Sequence, residues 1–387
     1  MKIGIIDPSL REEGHHAYFN RYLAELLRTA GIEVLIADFN HTLHRRYEKE
    51  DFSMVNVADA LPTKRFSALE SSRFVGLMVH PALAAFYRDI GKKLSATDVN
   101  IWILSSYDVY TVPFICYSGI RFEHTIPVVH SLKHLRGKIR PWGRSFWVPF
   151  LLNYNLSRSK LILYLAGDHE KFFKRTGSKN HRLLIPYNTV SEDLIDVDNR
   201  HRMHERFRIC TLGIIRDDKD IPSVIDVVGN HDDIDYYVGG AVAEGLDADY
   251  EALLRSHSDH GGNIIVNLNY LTHQAYHDEI QKAHFSIIPI MNKYEKNVQL
   301  TGLMIDSLVN KRPFIGPDIY PLNECVEKYD VGILYKPGDD QSLKEAILTA
   351  KHRGAVYYYD PIRRFLREQS IEKTASRLSN EITMLFK

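Results

Sequence analysis

Thr301-Gly302, followed at helical spacing by Asp306, is the arrangement in this chain with the most direct chemical meaning. Val298-Gln299-Leu300 leads into it as a loop, and Asn310-Lys311-Arg312-Pro313 then turns into an apolar strand at Phe314-Ile315-Gly316. A helix opening at Thr301-Gly302 points backbone N–H groups without intrahelical partners outward, which suits an anion. Asp306 falls about one turn further on, placed to accept hydrogen bonds from sugar hydroxyls. Diphosphate at the helix start and hydroxyls on the carboxylate suit a nucleotide-sugar. The competing reading is a surface helix capped by Thr301, with Asp306 in the first turns where carboxylates are favoured anyway.

A second candidate lies upstream, where Arg208-Ile209-Cys210-Thr211-Leu212 ends at Gly213 and the charged loop Ile214–Asp220 precedes a helix at Ile221-Pro222. Open α/β sheets bind ligands at the carboxyl ends of their strands, so Gly213, Arg216 and Lys219 are expected on the same edge as Thr301 and Gly302. Two cations and a helix dipole would then face one pyrophosphate. The alternative for Arg216 and Lys219 is pairing with Asp217, Asp218 and Asp220, of little energetic consequence on a mixed-charge surface.

The elements that must hold these residues are legible along the chain. Ile3–Ile6 reads as a short buried strand, and Phe19, Leu23, Leu26, Leu27 and Ala30 recur at helical spacing until Gly31. Further strands are expected at Val34–Ala37, Ile101–Leu104, Pro127–His130 and Leu161–Tyr164, and Leu183–Asn188 closes the first half. After a polar stretch the pattern restarts at Ile209–Leu212, Tyr236–Gly240, Ile264–Val266, Phe285–Pro289 and Phe314–Gly316, with Thr272 capping a helix that runs to Ala283. An α/β chain of two doubly wound Rossmann-like domains follows: residues 1–190, a linker at 191–204, a second domain at 205–359, and an amphipathic helix at 360–387 packing back across both.

Composition narrows the partners. In 387 residues, 49 Lys and Arg balance 49 Asp and Glu, so no global field attracts nucleic acid and an anion site must be local. The three cysteines, Cys116, Cys210 and Cys325, are far apart and read as reduced packing residues, which implies a cytosolic compartment. Met1–Asp7 reads as a first strand rather than a signal peptide, and no apolar run is long enough to span a bilayer. No His, Cys, Asp or Glu set has convincing metal-ligand spacing, so no metal and no cofactor is expected.

Five pieces in order resemble the GT-B glycosyltransferases, particularly the retaining, nucleotide-sugar-dependent group that builds bacterial surface glycans. Glu13-Gly14-His15-His16 resembles the glycine loop before the first helix, and Ile126–His134 the strand ending in a histidine. Leu183–Asn188 looks like the stretch closing the N-terminal domain, Leu212–Asp220 like the donor-phosphate loop, and Thr301–Ile315 like the donor helix with its following strand. The chain departs from the pattern in three places. Ile214 stands where an arginine often follows the donor-loop glycine, so Arg216 would replace it. Val298 stands where a glutamate often lies eight positions before Asp306, leaving Glu295 as the nearest acid. Lys133 falls where the family histidine often sits, flanked by His130 and His134.

The resemblance implies transfer of a hexose-type sugar from a nucleoside diphosphate sugar to a glycan or lipid-linked glycan, with retention. Gly213, Arg216, Lys219, Thr301, Gly302 and Asp306 would bind the donor; Gly14, His15 and His16 would form an acceptor or donor loop; His130, Lys133 and Glu295 are candidates for the reacting centre. For His130 a packed, hydrogen-bonded imidazole is the competing reading. Lys133–Trp147 interleaves cations with tryptophans and suits either a peripheral contact with the inner face of a membrane or an acceptor-side loop whose aromatics pack inward. Two further functions stay open: a catalytically silent GT-B partner subunit, suggested by Ile214 and Val298, and a sugar-nucleotide epimerase or hydrolase.

Overall fold

The computed structural model describes residues 1–7, 15–39, 53–58, 81–107, 111–130, 153–165, 180–186, 188–243, 245–257, 262–290 and 302–387. The chain forms two compact units, one of Met1–Pro186 with Ile371–Lys387 and one of Tyr187–Ser370.

In the first unit β1 (Lys2–Ile6), α1 (His15–Thr29), β2 (Glu33–Phe39) and β3 (Ser53–Ala58) are followed by α2 (Pro81–Ser95), β4 (Ile101–Leu104) and α3 (Thr111–Ser118). β5 (Thr125–Val129), β6 (Leu161–Tyr164) and β7 (His181–Leu184) complete a parallel sheet of order β3-β2-β1-β4-β5-β6-β7. Every residue of β4, β5 and β6 is buried. A parallel strand covered on both faces has no polar side to show, hence the unbroken apolar runs in the sequence.

The second unit runs α4 (Glu192–Ile195), β8 (Phe207–Leu212), α5 (Ile221–Gly229), β9 (Ile234–Gly239), α6 (Ala248–Ser256), β10 (Ile264–Asn267), α7 (His273–Lys282) and β11 (Phe285–Ile287). It continues with α8 (Gly302–Val309), β12 (Phe314–Pro317), α9 (Leu322–Tyr329), β13 (Gly332–Tyr335), α10 (Asp340–Arg353) and α11 (Tyr359–Glu368). Its parallel sheet has the order β10-β9-β8-β11-β12-β13, the same winding as the first six strands of the other unit. In each sheet the order reverses once, between β1 and β4 and between β8 and β11, and such a reversal opens a crevice at the carboxyl edge. The expected α/β class with two doubly wound sheets is what the chain forms.

Several boundaries differ from expectation. β3 and β13, both at sheet edges, were not foreseen, and the last strand of the first sheet, β7, pairs over His181–Leu184, overlapping the start of the closing stretch Leu183–Asn188. Residues 191–204 hold α4 and a 3-10 turn at Arg200–Arg202, both inside the second unit. The tail foreseen as a single helix from residue 360 is two: α11 ends in the second unit, and α12 (Ile371–Phe386) belongs to the first, packed on α1. Cys210 is buried and Cys325 partly so, both free, and burial pushes their thiols up to about 12 and about 11. Cys116 lies in α3, and its side chain is outside the described residues.

Candidate functional site

The loop after β8 is built by a close approach of two strand ends. Gly213 has φ +95 and Gly240 φ +146, and a Cβ at Gly240 would lie 2.2 Å from the Gly213 carbonyl oxygen, so neither position accommodates a side chain without strain. Gly213 donates its N–H to Gly239 O, and Ile215 exchanges backbone hydrogen bonds with Ala241 and Ala243, so the loop extends the pairing of β8 with β9. Its far end is tied down as well. Asp220 N–H donates to Pro289 O after β11, and the Tyr250 hydroxyl on α6 donates to Lys219 O at 2.7 Å. The loop thus bridges the two strands that flank the reversal of the second sheet.

Lys219 is half-buried, and its Nζ donates to Leu212 O at 3.1 Å instead of pairing with a neighbouring aspartate. Burial, reinforced by the charge of Arg216, brings its ammonium down to about 8. A cation held beside one backbone carbonyl, with part of its hydration removed, gains from an incoming anion. Arg216 differs: it is exposed and forms a bidentate pair with Asp218, Nε to Oδ1 at 3.1 Å and Nη2 to Oδ2 at 2.7 Å. That is the pairing the sequence allowed as the alternative for this side chain.

α8 begins at Gly302 beyond the end of β11 and is fixed to that strand by Ser307, whose hydroxyl oxygen is hydrogen-bonded to Ser286 Oγ at 2.6 Å. Asp306 sits four residues into the helix. Its carboxylate accepts from Asn188 Nδ2 on Oδ1 and from the Tyr276 hydroxyl on Oδ2, both at 3.1 Å. Burial pushes this carboxyl above the usual carboxylate range, while the two hydrogen bonds pull the other way. Oδ2 lies 3.8 Å from where a Cβ on Gly302 would be, so the side chain leans back over the first turn of α8. Gly213, Lys219, Gly302 and Asp306 therefore all belong to elements at the carboxyl edge of the second sheet's reversal.

His130 follows β5 in the first unit. Its Nε2 lies 2.6 Å from Ser105 O and its ring stands edge-on to Phe19, with centroids 4.7 Å apart. A carbonyl only accepts, so Nε2 carries the proton and the imidazole is held and packed. Gly14, Lys133, Glu295 and Thr301 lie outside the described residues, as does the whole of 133–147. His15 and His16 open α1, their side chains outside the described set. Among the described residues no three or more His, Cys, Asp or Glu side chains are grouped to hold a metal ion, and no helix is long and apolar enough to cross a membrane.

No family model matches the chain, and no curated protein matches it by sequence. Solved structures do. The chain is similar to a sucrose-phosphate synthase from Thermosynechococcus elongatus, with TM-score 0.69 and 15% identity, over 100% of this chain and 99% of that one. It is similar to HepE of Anabaena in complex with UDP, with TM-score 0.68 and 12% identity, over 99% and 100%. A glycosyltransferase from Rickettsia africae matches with TM-score 0.66 and 13% identity, over 100% and 98%. The fold is GT-B. At these identities the likeness establishes the architecture of the chain from end to end, while side-chain roles rest on this protein's own geometry.

Within this GT-B chain two residues at the Asp306 carboxylate, and one buried cation apart from it, were not singled out by sequence reasoning. Asn188 was legible only as part of the closing stretch Leu183–Asn188. Tyr276 carried a weak signal, being four residues beyond the cap Thr272, which accepts from Ala275 N–H at 3.2 Å. Arg312 read as part of a turn, yet it is fully buried at 0% exposure and packed among oxygen acceptors.

Proposed function

We propose that this protein is a glycosyltransferase that moves a sugar from a nucleoside diphosphate sugar to a glycan or lipid-linked glycan hydroxyl, with retention. The observation that carries the reading is the gathering of the Gly213 turn, Lys219, the start of α8 and Asp306 at the reversal of the second sheet. The group whose motifs the chain resembles supplies the retaining outcome, and the UDP in the HepE structure makes a uridine donor the first to try. Lys219 and the first N–H groups of α8 would neutralise the diphosphate as it leaves, and Asp306 would take the ribose hydroxyls.

Asp306→Ala tests the assignment. Loss of a hydrogen-bond acceptor for ribose should weaken nucleosides and nucleoside diphosphates alike, by about 1.5–3 kcal/mol, the range for a hydrogen bond to a charged group. At a site for phosphate alone, removing a carboxylate would leave binding unchanged or tighten it, since a like charge has gone. Calorimetric titration of UDP and uridine into both proteins, with melting curves alongside, separates these cases; a variant that binds both ligands normally ends the ribose assignment.

Binding is also expected to need no metal. Lys219 and the α8 dipole would provide the positive charge, so UDP affinity should be the same in excess EDTA as in magnesium. A strict divalent-ion requirement would overturn this part of the reading.

A further inference from the structure

The Asp306 carboxylate leans over the turn of α8 proposed to receive a diphosphate, where two negative groups would repel. Left to itself, an aspartate near a helix start can also turn its oxygens onto local N–H groups. Here both oxygens are engaged by donors from elsewhere in the unit: Asn188 from the segment after Pro186, and Tyr276 from α7. Both donors are neutral, so they draw down the carboxylate's charge density without competing for the diphosphate.

The placement of Tyr276 is itself enforced. α7 and α8 are cross-linked through Asn310, which follows α8. Asn310 Nδ2 donates to Asp306 O at 2.7 Å and to His277 Nδ1 at 2.8 Å, and Asn310 Oδ1 accepts from Gln281 Nε2 at 2.9 Å. The neighbour of Tyr276 in the chain is thereby fixed to the backbone carbonyl of Asp306 itself. A phenol arriving from α7 thus meets the carboxylate at a set position.

An ionised carboxylate offers about four acceptor directions. Asn188 occupies one on Oδ1 and Tyr276 one on Oδ2, so one direction on each oxygen is left among the described residues. Two parallel acceptors match two hydroxyls on adjacent carbons. We propose that Tyr276 and Asn188 are positioning residues that hold Asp306 in the rotamer able to accept both ribose hydroxyls of a nucleoside diphosphate. This inference rests on the donor-site reading above, and neither residue touches the ligand in it.

The test is the preference for ribose. Dissociation constants for UDP and 2′,3′-dideoxy-UDP are measured on the wild type and on Asp306→Ala, Tyr276→Phe, Asn188→Ala and the double variant Tyr276→Phe/Asp306→Ala, with a melting curve for each. ADP and GDP with their dideoxy forms replace the pair if UDP does not bind. Tyr276→Phe and Asn188→Ala should each cut the ribose preference by about three- to tenfold, the span of one neutral hydrogen bond. The double variant should lose no more than Asp306→Ala alone, because the phenol acts through the carboxylate. A lowered melting temperature with the ribose preference intact in both single variants would make them purely structural and overturn the inference. If Asp306→Ala keeps the wild-type preference, or no diphosphate binds the wild type, the donor-site reading fails instead.

Discussion

Replacing Arg312 by methionine is expected to destabilise the second unit by about 3 kcal/mol or more, read as a lower urea midpoint at unchanged m-value. The guanidinium is fully buried and is surrounded by neutral acceptors rather than by a carboxylate. Nη2 donates to Asn199 O at 2.9 Å and to Gln281 O at 2.7 Å, while Nη1 donates to Asn199 Oδ1 at 2.9 Å and to the Tyr359 hydroxyl at 3.0 Å. Burial lowers its pKa from the ordinary arginine value, but a guanidinium remains charged throughout the accessible pH range. Methionine fills much of the volume and leaves several buried oxygens without donors, each costing about 1–3 kcal/mol. Lysine should not rescue, because one ammonium cannot reproduce the planar fork that spans three separate segments. Arg367→Ala is the control. Arg367 is exposed and paired with Asp196 at 2.9 Å, and its loss should cost at most about 1 kcal/mol. Equal midpoints for the Arg312 and Arg367 variants would show that the buried fork contributes nothing special.

The second large effect is expected at Lys219. Charge develops on the diphosphate as the sugar leaves, and removing one preorganised donor at such a position typically costs about 2.7–4 kcal/mol in the transition state. Lys219→Ala should therefore slow release of UDP from a bound sugar nucleotide, with water as acceptor, by about a hundred- to a thousandfold. Charge also gives the pH dependence its sign. In the free protein the ammonium titrates near 8, and a bound diphosphate stabilises the charged form and raises that value. Below pH 8 the cation is already present and UDP affinity is full. As pH rises above 8, binding must bring a proton with it, so affinity falls by up to about tenfold per pH unit. Lys219→Arg should keep its affinity across this range, and Lys219→Ala should be weak and flat. A wild-type profile flat from pH 7 to 9.5 would remove the amine from the diphosphate site. Backbone bonds to Gly239, Ala241 and Pro289 hold the loop besides the single bond from the lysine head group to Leu212 O, and a melting curve for each variant checks that it stays folded.

The central strands were legible because parallel strands buried on both faces leave unbroken apolar runs, as in Ile101–Leu104 and Leu161–Tyr164. The Gly213 turn and the Thr272 cap were legible for a similar reason: each depends on residue types acting within a few positions of themselves. What depends on neighbours across the sheet was not. β3 and β13 pair on one side only, and their short, mixed sequences Ser53–Ala58 and Gly332–Tyr335 carry little periodic signal.

The candidate site divides along the same line. Spacing alone put Asp306 one turn into a helix and Lys219 in a loop after a strand. The order β10-β9-β8-β11-β12-β13, which puts the reversal between those two elements, is a fact of tertiary structure. So are the partners of the carboxylate, which lie 118 and 30 residues away in the chain, and the acceptors around Arg312, drawn from as far as 113 residues upstream. Local sequence determines which backbone groups a helix start or a strand end exposes, since those follow from dihedral preference and hydrogen-bond arithmetic within a turn. Which side chain meets a buried charge is decided only when packing brings distant segments together, because desolvation makes the pairing obligatory without making it local.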